Sequence, residues 1–192
     1  DWFPLTDWQK FREMFFRKPR CRLIRIDLAT GQRTTIHEVD LWLGHPQYRP
    51  FDDNTIAFCH EGNHDLIDAR MWFVDEDGSN VRCGKVHGEG ESCTHEFWVP
   101  DGSAMVYVSY LKGQPERWIR ALDPVTLEDR ALTRMPPCSH LMSNHDGTLL
   151  VENCADIGKK PVRRVQATIE ADLVHPLLRG RQSARWTSAP AG

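Results

Sequence analysis

Residues 95–108, HEFWVPDGSAMVYV, set a histidine, a Pro-Asp-Gly-Ser turn cluster and an apolar run in that order. The order recurs at 45–59, HPQYRPFDDNTIAFC, and at 140–153, HLMSNHDGTLLVEN. His45, His95 and His140 are thus 50 and then 45 residues apart. A second series runs between them: Asp27 in LIRIDLATGQ, Asp75 in MWFVDEDGSN and Asp123 in WIRALDPVTL, spaced 48 and 48. Two interleaved series of nearly equal period point to one structural unit used at least three times. If the units stack about an axis, matching positions converge in space, and three imidazoles distant in sequence become neighbours.

The texture of the repeat is β. LIRID, TIAFC, MWFV, AMVYVSY and TLLVEN are short runs of β-branched and aromatic residues. Turn signals separate them: Ala29-Thr30-Gly31, Asp52-Asp53-Asn54, Asp77-Gly78, Asp101-Gly102 and Asp146-Gly147. Asp-Gly supplies the positive φ that a tight hairpin needs. Two hairpins per repeat give about four strands in roughly 40–50 residues, the signature of a propeller blade. The expectation is an all-β chain, a β-propeller fragment of roughly three blades over 1–153. A β-sandwich would also show frequent turns, but nothing in that architecture calls for a recurrence every ~48 residues.

The two ends differ from this middle. Trp8, Phe11, Met14, Phe15 and Phe16 recur near helical spacing, and Thr6-Asp7 offers a cap, so a short amphipathic helix is expected before Pro19. Residues 154–192 show no blade landmark and are expected to form an irregular, poorly ordered tail. The first residue is Asp1 rather than methionine, which leaves room for an upstream part. Three blades do not close a propeller, so open sheet edges are expected to invite self-association.

Composition excludes several function classes. Apolar residues make up 40%, charged residues 27%, and the formal net charge is -3. That balance gives no reason to expect nucleic acid as a partner. No apolar run approaches the ~20 residues of a membrane span. Six cysteines, none in a CxxC pair, suggest mostly reduced, buried thiols and a cytoplasmic location. There is no Gly-rich phosphate loop, GxSxG or HExxH.

Candidate chemistry gathers where the repeat departs from plain turn residues. His95 sits between a polar loop and an apolar strand, at the mouth of the expected axial channel. Its pKa class suits a general base near neutrality, and its alternative is a histidine hydrogen-bonded within the core. His140 holds the matching place one unit on and is a candidate metal ligand. His45 precedes Pro46, which restricts its backbone and steadies the ring. HEGNHDLIDAR, residues 60–70, concentrates His60, Glu61, His64, Asp65, Asp68 and Arg70. So dense a polar cluster is expected to line a wet cleft. Arg70, like Arg22 one unit earlier, is either a carboxylate clamp or the partner of Asp65 or Asp68.

At these residues the chain closely resembles the oligogalacturonide lyases, bacterial pectin-degrading enzymes. The resemblance is carried by PLTDWQKF, CRLIRIDLATG, WLGHPQYRPFDDNTIAFCHEGNHDLIDARMWFVDEDG, GEGESCTHEFWVPDGSAMVYVSYLKG and LDPVTLEDRALTRMPPCSHLMSNHDGTLLV, across roughly residues 4–152. It implies a seven-bladed propeller and β-elimination at a galacturonate of short pectin fragments. It implies His95 as the base, Arg70 as the group that stabilises negative charge at the uronate, and His140 as a ligand of a divalent metal, usually Mn2+. His45 and His64 are taken as substrate-binding candidates, and oligogalacturonate as the substrate. The family's other metal ligands, a glutamine and a His-Pro-His segment, have no match after His140, and His175-Pro176 lies in a different context. The ligand set is therefore expected to be incomplete, and this polypeptide alone to show at most very weak activity. The competing readings are a non-catalytic propeller segment for carbohydrate or protein binding, and a degenerate product without function.

Overall fold

The structure, a computed structural model, describes residues 8–136 and 138–154. The Thr6-Asp7 cap and nearly all of the expected tail lie outside the described residues.

Among the described residues twelve strands follow one helix, α1 (Trp8–Phe16). β1 (Cys21–Ile26) pairs with β2 (Arg33–Val39). β3 (Leu43–Tyr48), β4 (Thr55–His60), β5 (Met71–Asp75) and β6 (Arg82–Cys83) form one four-stranded antiparallel sheet in chain order. β7 (Glu91–Trp98), β8 (Met105–Leu111), β9 (Arg117–Leu122) and β10 (Asp129–Met135) form a second. β11 (Cys138–Ser143) pairs with β12 (Leu150–Cys154). Among the described residues the chain therefore holds three blades' worth of strands, distributed as two whole blades between two half blades. The landmarks fix which halves. Asp27 follows β1 as Asp123 follows β9 and as Asp75 ends β5, so β1 and β2 are third and fourth strands. β11 carries His140 as β7 carries His95, so β11 and β12 are first and second strands.

Alternation along the strands explains how successive sheets stack. Ile56, Phe58 and Val74 face back to Leu23 of β1. Ala57, Met71 and Phe73 face forward to Cys93, Met105, Tyr107 and Leu122 of the next blade. Val106, Val108 and Ile119 of that blade meet Leu141 of β11. Each four-stranded sheet is thus apolar on both faces, the requirement for face-to-face blades. Tyr107, with no exposed surface, reaches out of this core by donating its OH to Asp129 Oδ1 at 2.6 Å. Lys85 and Arg120 each reach the same carboxylate at 2.8 Å.

The turn aspartates work by one device. Asp27, Asp52 and Asp123 each accept two successive backbone N–H groups on Oδ1, which closes the turn without strand pairing. Helix α1 packs through Phe11 on Trp42, with ring centroids 5.3 Å apart, and through Phe15 on Gly62. A Cβ at Gly62 would lie 2.6 Å from the Phe15 ring, so that position accepts no side chain while the helix is seated.

Candidate functional site

The first strand of each blade breaks register at its histidine. The shift falls between Gly44 and Gln47 in β3, between Thr94 and Phe97 in β7, and between Cys138 and Leu141 in β11. His45 and His95 hold φ of 51° and 57° at these bulges. A bulge re-aims one side chain out of the alternation of its strand, and left-handed backbone is tolerated there by histidine better than by branched residues. His45 is therefore left-handed rather than extended, although it precedes Pro46; the bulge overrides the proline's preference.

The bulges bring His95 and His140 together. Their ring centroids are 4.2 Å apart with an interplanar angle of 54°. Burial, and then the neighbouring imidazole of His140, hold the His95 pKa down to about 4. His95 is neutral across the physiological range and has a nitrogen lone pair for a proton.

Arg70 is 6% exposed and lies between two carboxylates. Its Nε and Nη2 donate to Glu96 at 2.9 and 3.0 Å, and Nη1 and Nη2 donate to Glu61 at 3.0 and 3.2 Å. Its partners are thus Glu61 and Glu96, not Asp65 or Asp68; Asp65 pairs with Arg12 of the helix at 3.1 Å. Arg22, at the matching place one unit earlier, sits on the surface with Glu38. Burial works against the charge of Glu96, but the Arg70 hydrogen bonds outweigh it and lower the Glu96 pKa. Cys59 Sγ donates to Glu96 Oε1 at 2.8 Å, completing the surround. Glu61 links onward to His45 Nε2 at 3.3 Å. Gly44 makes room for this link, because a Cβ there would lie 2.7 Å from Glu61 Oε1.

His64 bonds through Nδ1 to the Tyr110 hydroxyl, and Arg117 lies over the Tyr110 ring at 4.6 Å. His64, Asp65 and Asp68 line a cleft of about 600 Å³, the wet cleft expected from the 60–70 segment. His60 is not part of it and stacks on Trp72 at 4.6 Å.

Of the five residues singled out in the sequence, His95 and His140 meet directly, Arg70 and His45 join through Glu61, and His64 stands beside them on the cleft. Sequence reasoning missed Glu96, Tyr110 and Arg117. Glu96 had a readable signal: an acid inside the apolar strand HEFWV demands a buried countercharge.

Among the described residues, no group of three or more His, Cys, Asp and Glu side chains is arranged to hold a metal ion. The two imidazoles at 95 and 140 fall short of the three or four ligands such sites use.

A family model described as oligogalacturonate lyase matches residues 1–175. The chain belongs to the oligogalacturonate lyase family. It is 70% identical over 156 residues to the oligogalacturonide lyase of Pectobacterium atrosepticum, covering 81% of this chain and 40% of that protein. It is 71% identical over 151 residues to the oligogalacturonate lyase of Dickeya dadantii, covering 79% and 39%. Among solved structures it is similar to an oligogalacturonate lyase in complex with manganese, at 66% identity and a TM-score of 0.76 over 81% of this chain and 41% of the other. The lyase of Vibrio parahaemolyticus matches at 62% identity and a TM-score of 0.77, over 81% and 42%. TolB of Acinetobacter baumannii, at 20% identity and a TM-score of 0.51 over 71% of this chain and 33% of that one, shares the fold alone. The chain spans about two fifths of the length of the curated lyases it matches.

Proposed function

We propose that this chain carries the base-bearing part of an oligogalacturonate lyase, acting on galacturonate-containing pectin oligomers by β-elimination. The observation that carries the reading is the neutral His95, aimed out of its strand by a bulge and set against His140. In this chemistry His95 takes the proton α to the uronate carboxylate. The C–H electron pair forms the new C=C bond, and the glycosidic C–O bond on the adjacent carbon breaks. The leaving oxygen departs with that bond's pair and is protonated, giving an unsaturated uronide. No water attacks.

Arg70 would serve this step mainly by holding Glu96, and with it the strand that presents His95. Four hydrogen bonds to Glu61 and Glu96 leave one Nη1 N–H for a substrate carboxylate. His45, 60% exposed at its side chain, and His64 would meet the sugar around that centre. Manganese, held in part by His140, is a reading for the whole lyase, supported by the neighbour solved with that ion. The residues described here do not make such a site, and nothing in the step above passes through it. The free thiols of Cys21, Cys59, Cys83 and Cys93 support a reducing, cytoplasmic setting. No helix among the described residues is long and apolar enough to cross a membrane.

The test has two parts. Calorimetric titration with digalacturonate reads binding, and the absorbance of unsaturated uronide reads turnover with and without added Mn2+. Binding with weak turnover is the expected outcome for this polypeptide alone. Absence of both would sink the reading, and binding of unrelated oligosaccharides equally well would favour a non-catalytic sugar-binding propeller segment.

A further inference from the structure

A galacturonate oligomer carries a carboxylate on every ring, so a surface that holds it needs cationic donors. Arg70 is a poor source of them. It stands as one positive charge between the carboxylates of Glu61 and Glu96, to which it already makes four hydrogen bonds. The group as a whole leans negative and does not attract a third carboxylate. A second cation at the same rim of the blades has to be sought.

The strand order identifies that rim. β7 starts there, β8 ends there and β9 starts there. The Arg70–Glu96 and His95–His140 contacts bring the end of β4, the start of β5 and the start of β11 to the same side. On this rim Ser92, Tyr110 and Arg117 form one cross-strand row, three residues before the bulged His95. Arg117 reaches over the Tyr110 ring at 4.6 Å, and the Tyr110 hydroxyl bonds to His64 Nδ1. Arg117, Tyr110, His64 and His95 are all half-buried, so one face of each remains open to a ligand. The Arg117 charge reaches both imidazoles: it adds to the burial that chiefly lowers the His64 and His95 pKa values. A guanidinium carries five N–H donors in a rigid fork, enough for a bidentate bond to a carboxylate beside its contact with a ring.

We propose that Arg117, seated on Tyr110 next to His64, is a specificity-determining residue that binds a uronate carboxylate of the oligomer at the rim beside His95. The assignment rests on the lyase reading above and deepens it. Arg70 then holds the strand of the base, and Arg117 holds the charge of the sugar acid.

The test is calorimetric titration of the whole chain and of Arg117→Gln with digalacturonate and with its uncharged dimethyl ester. Arg117→Gln should weaken digalacturonate about 10- to 100-fold, the scale of a lost charge-assisted bidentate bond. The dimethyl ester should not tell the two proteins apart. If Arg117→Gln does not fold, Arg117→Lys carries the test: it keeps the charge and loses the fork, and should weaken digalacturonate alone by about three- to ten-fold. Unchanged digalacturonate affinity in the variant overturns the proposal, as does an equal loss for the ester, which would mean that Arg117 only shapes the rim. Failure of the lyase reading looks different. There the unaltered chain itself binds no digalacturonate, and the proposal falls with it.

Discussion

The imidazole of His95 lies 4.2 Å, centroid to centroid, from that of His140, although a whole repeat separates them in the chain. The contact exists because equivalent bulges in β7 and β11 push the same position of two blades out of register. On the proposed reading, in which His95 is the base, His95→Ala should remove it and leave the surroundings that would bind the carboxylate. Any turnover should fall by roughly 10²–10⁴-fold, with digalacturonate affinity changed only a few-fold. Calorimetry and single-turnover kinetics on the same preparation read the two effects, and equal loss of both would mean that His95 binds rather than reacts.

Acid should unfold the chain in two windows. Burial holds the His60 pKa at about 4, below its unfolded value near 6.5. The unfolded chain then binds the proton more readily, so the contribution of neutral His60 is complete above about pH 6.5 and is lost as pH falls towards 4. Asp129 is the second group. Burial alone would raise its pKa, but Arg120, Lys85 and Tyr107 hold it at about 2. Its contribution is present above about pH 4 and disappears as pH falls through 2. Urea midpoints at stepped pH should fall across both windows, and His60→Phe should make the upper one shallower without removing it, because His95, also held at about 4, titrates there too.

Glu96→Gln should be severe. It leaves Arg70, 6% exposed, with one full carboxylate where it had two, and weakens two charge-assisted bonds. A loss of about 3 kcal/mol is expected from breaking a buried ion pair on one side. The conservative Arg70→Lys should also destabilise, because an ammonium does not reproduce the fork that spans Glu61 and Glu96. Denaturant melts of the two variants and of their combination give the coupling. Additive losses would show that the two side chains do not act as one unit.

Much of this arrangement was legible in the chain before any coordinates. The Asp-Gly turns and the ~48-residue period were enough for blades, because both follow from local backbone chemistry. The convergence of His95 and His140 followed from equal position in equal units. What the period did not show was where the units begin: counting from the histidines suggests three blades, whereas the sheets split into two whole blades and two halves. Arg70's partners were also hidden. Glu61 lies nine residues away and Glu96 twenty-six, on another blade, and local sequence favours the nearer Asp65 and Asp68. Long-range ion pairs leave no mark on composition or spacing.

The two half blades lead to a last prediction. β11 and β12 are the first and second strands of a blade, and β1 and β2 the third and fourth. Among the described residues β12 pairs only with β11, and β1 only with β2. Ile24 and Ile26 on β1 are each 51% exposed and Val151 on β12 is 67% exposed. Setting β12 of one copy beside β1 of another would complete a four-stranded blade and bury both edges. Made reciprocally, the contact joins two copies into a ring of six blades, within the roughly four to eight that close a propeller. Sedimentation velocity should show a concentration-dependent dimer with no larger species, since a closed ring leaves no edge to extend. Ile26→Lys should return the chain to monomer and leave the His95–His140 contact intact, because β7 and β11 of one copy make that contact without β1. A monomer at all concentrations, or an open-ended ladder of sizes, would show that the half blades do not complete one another.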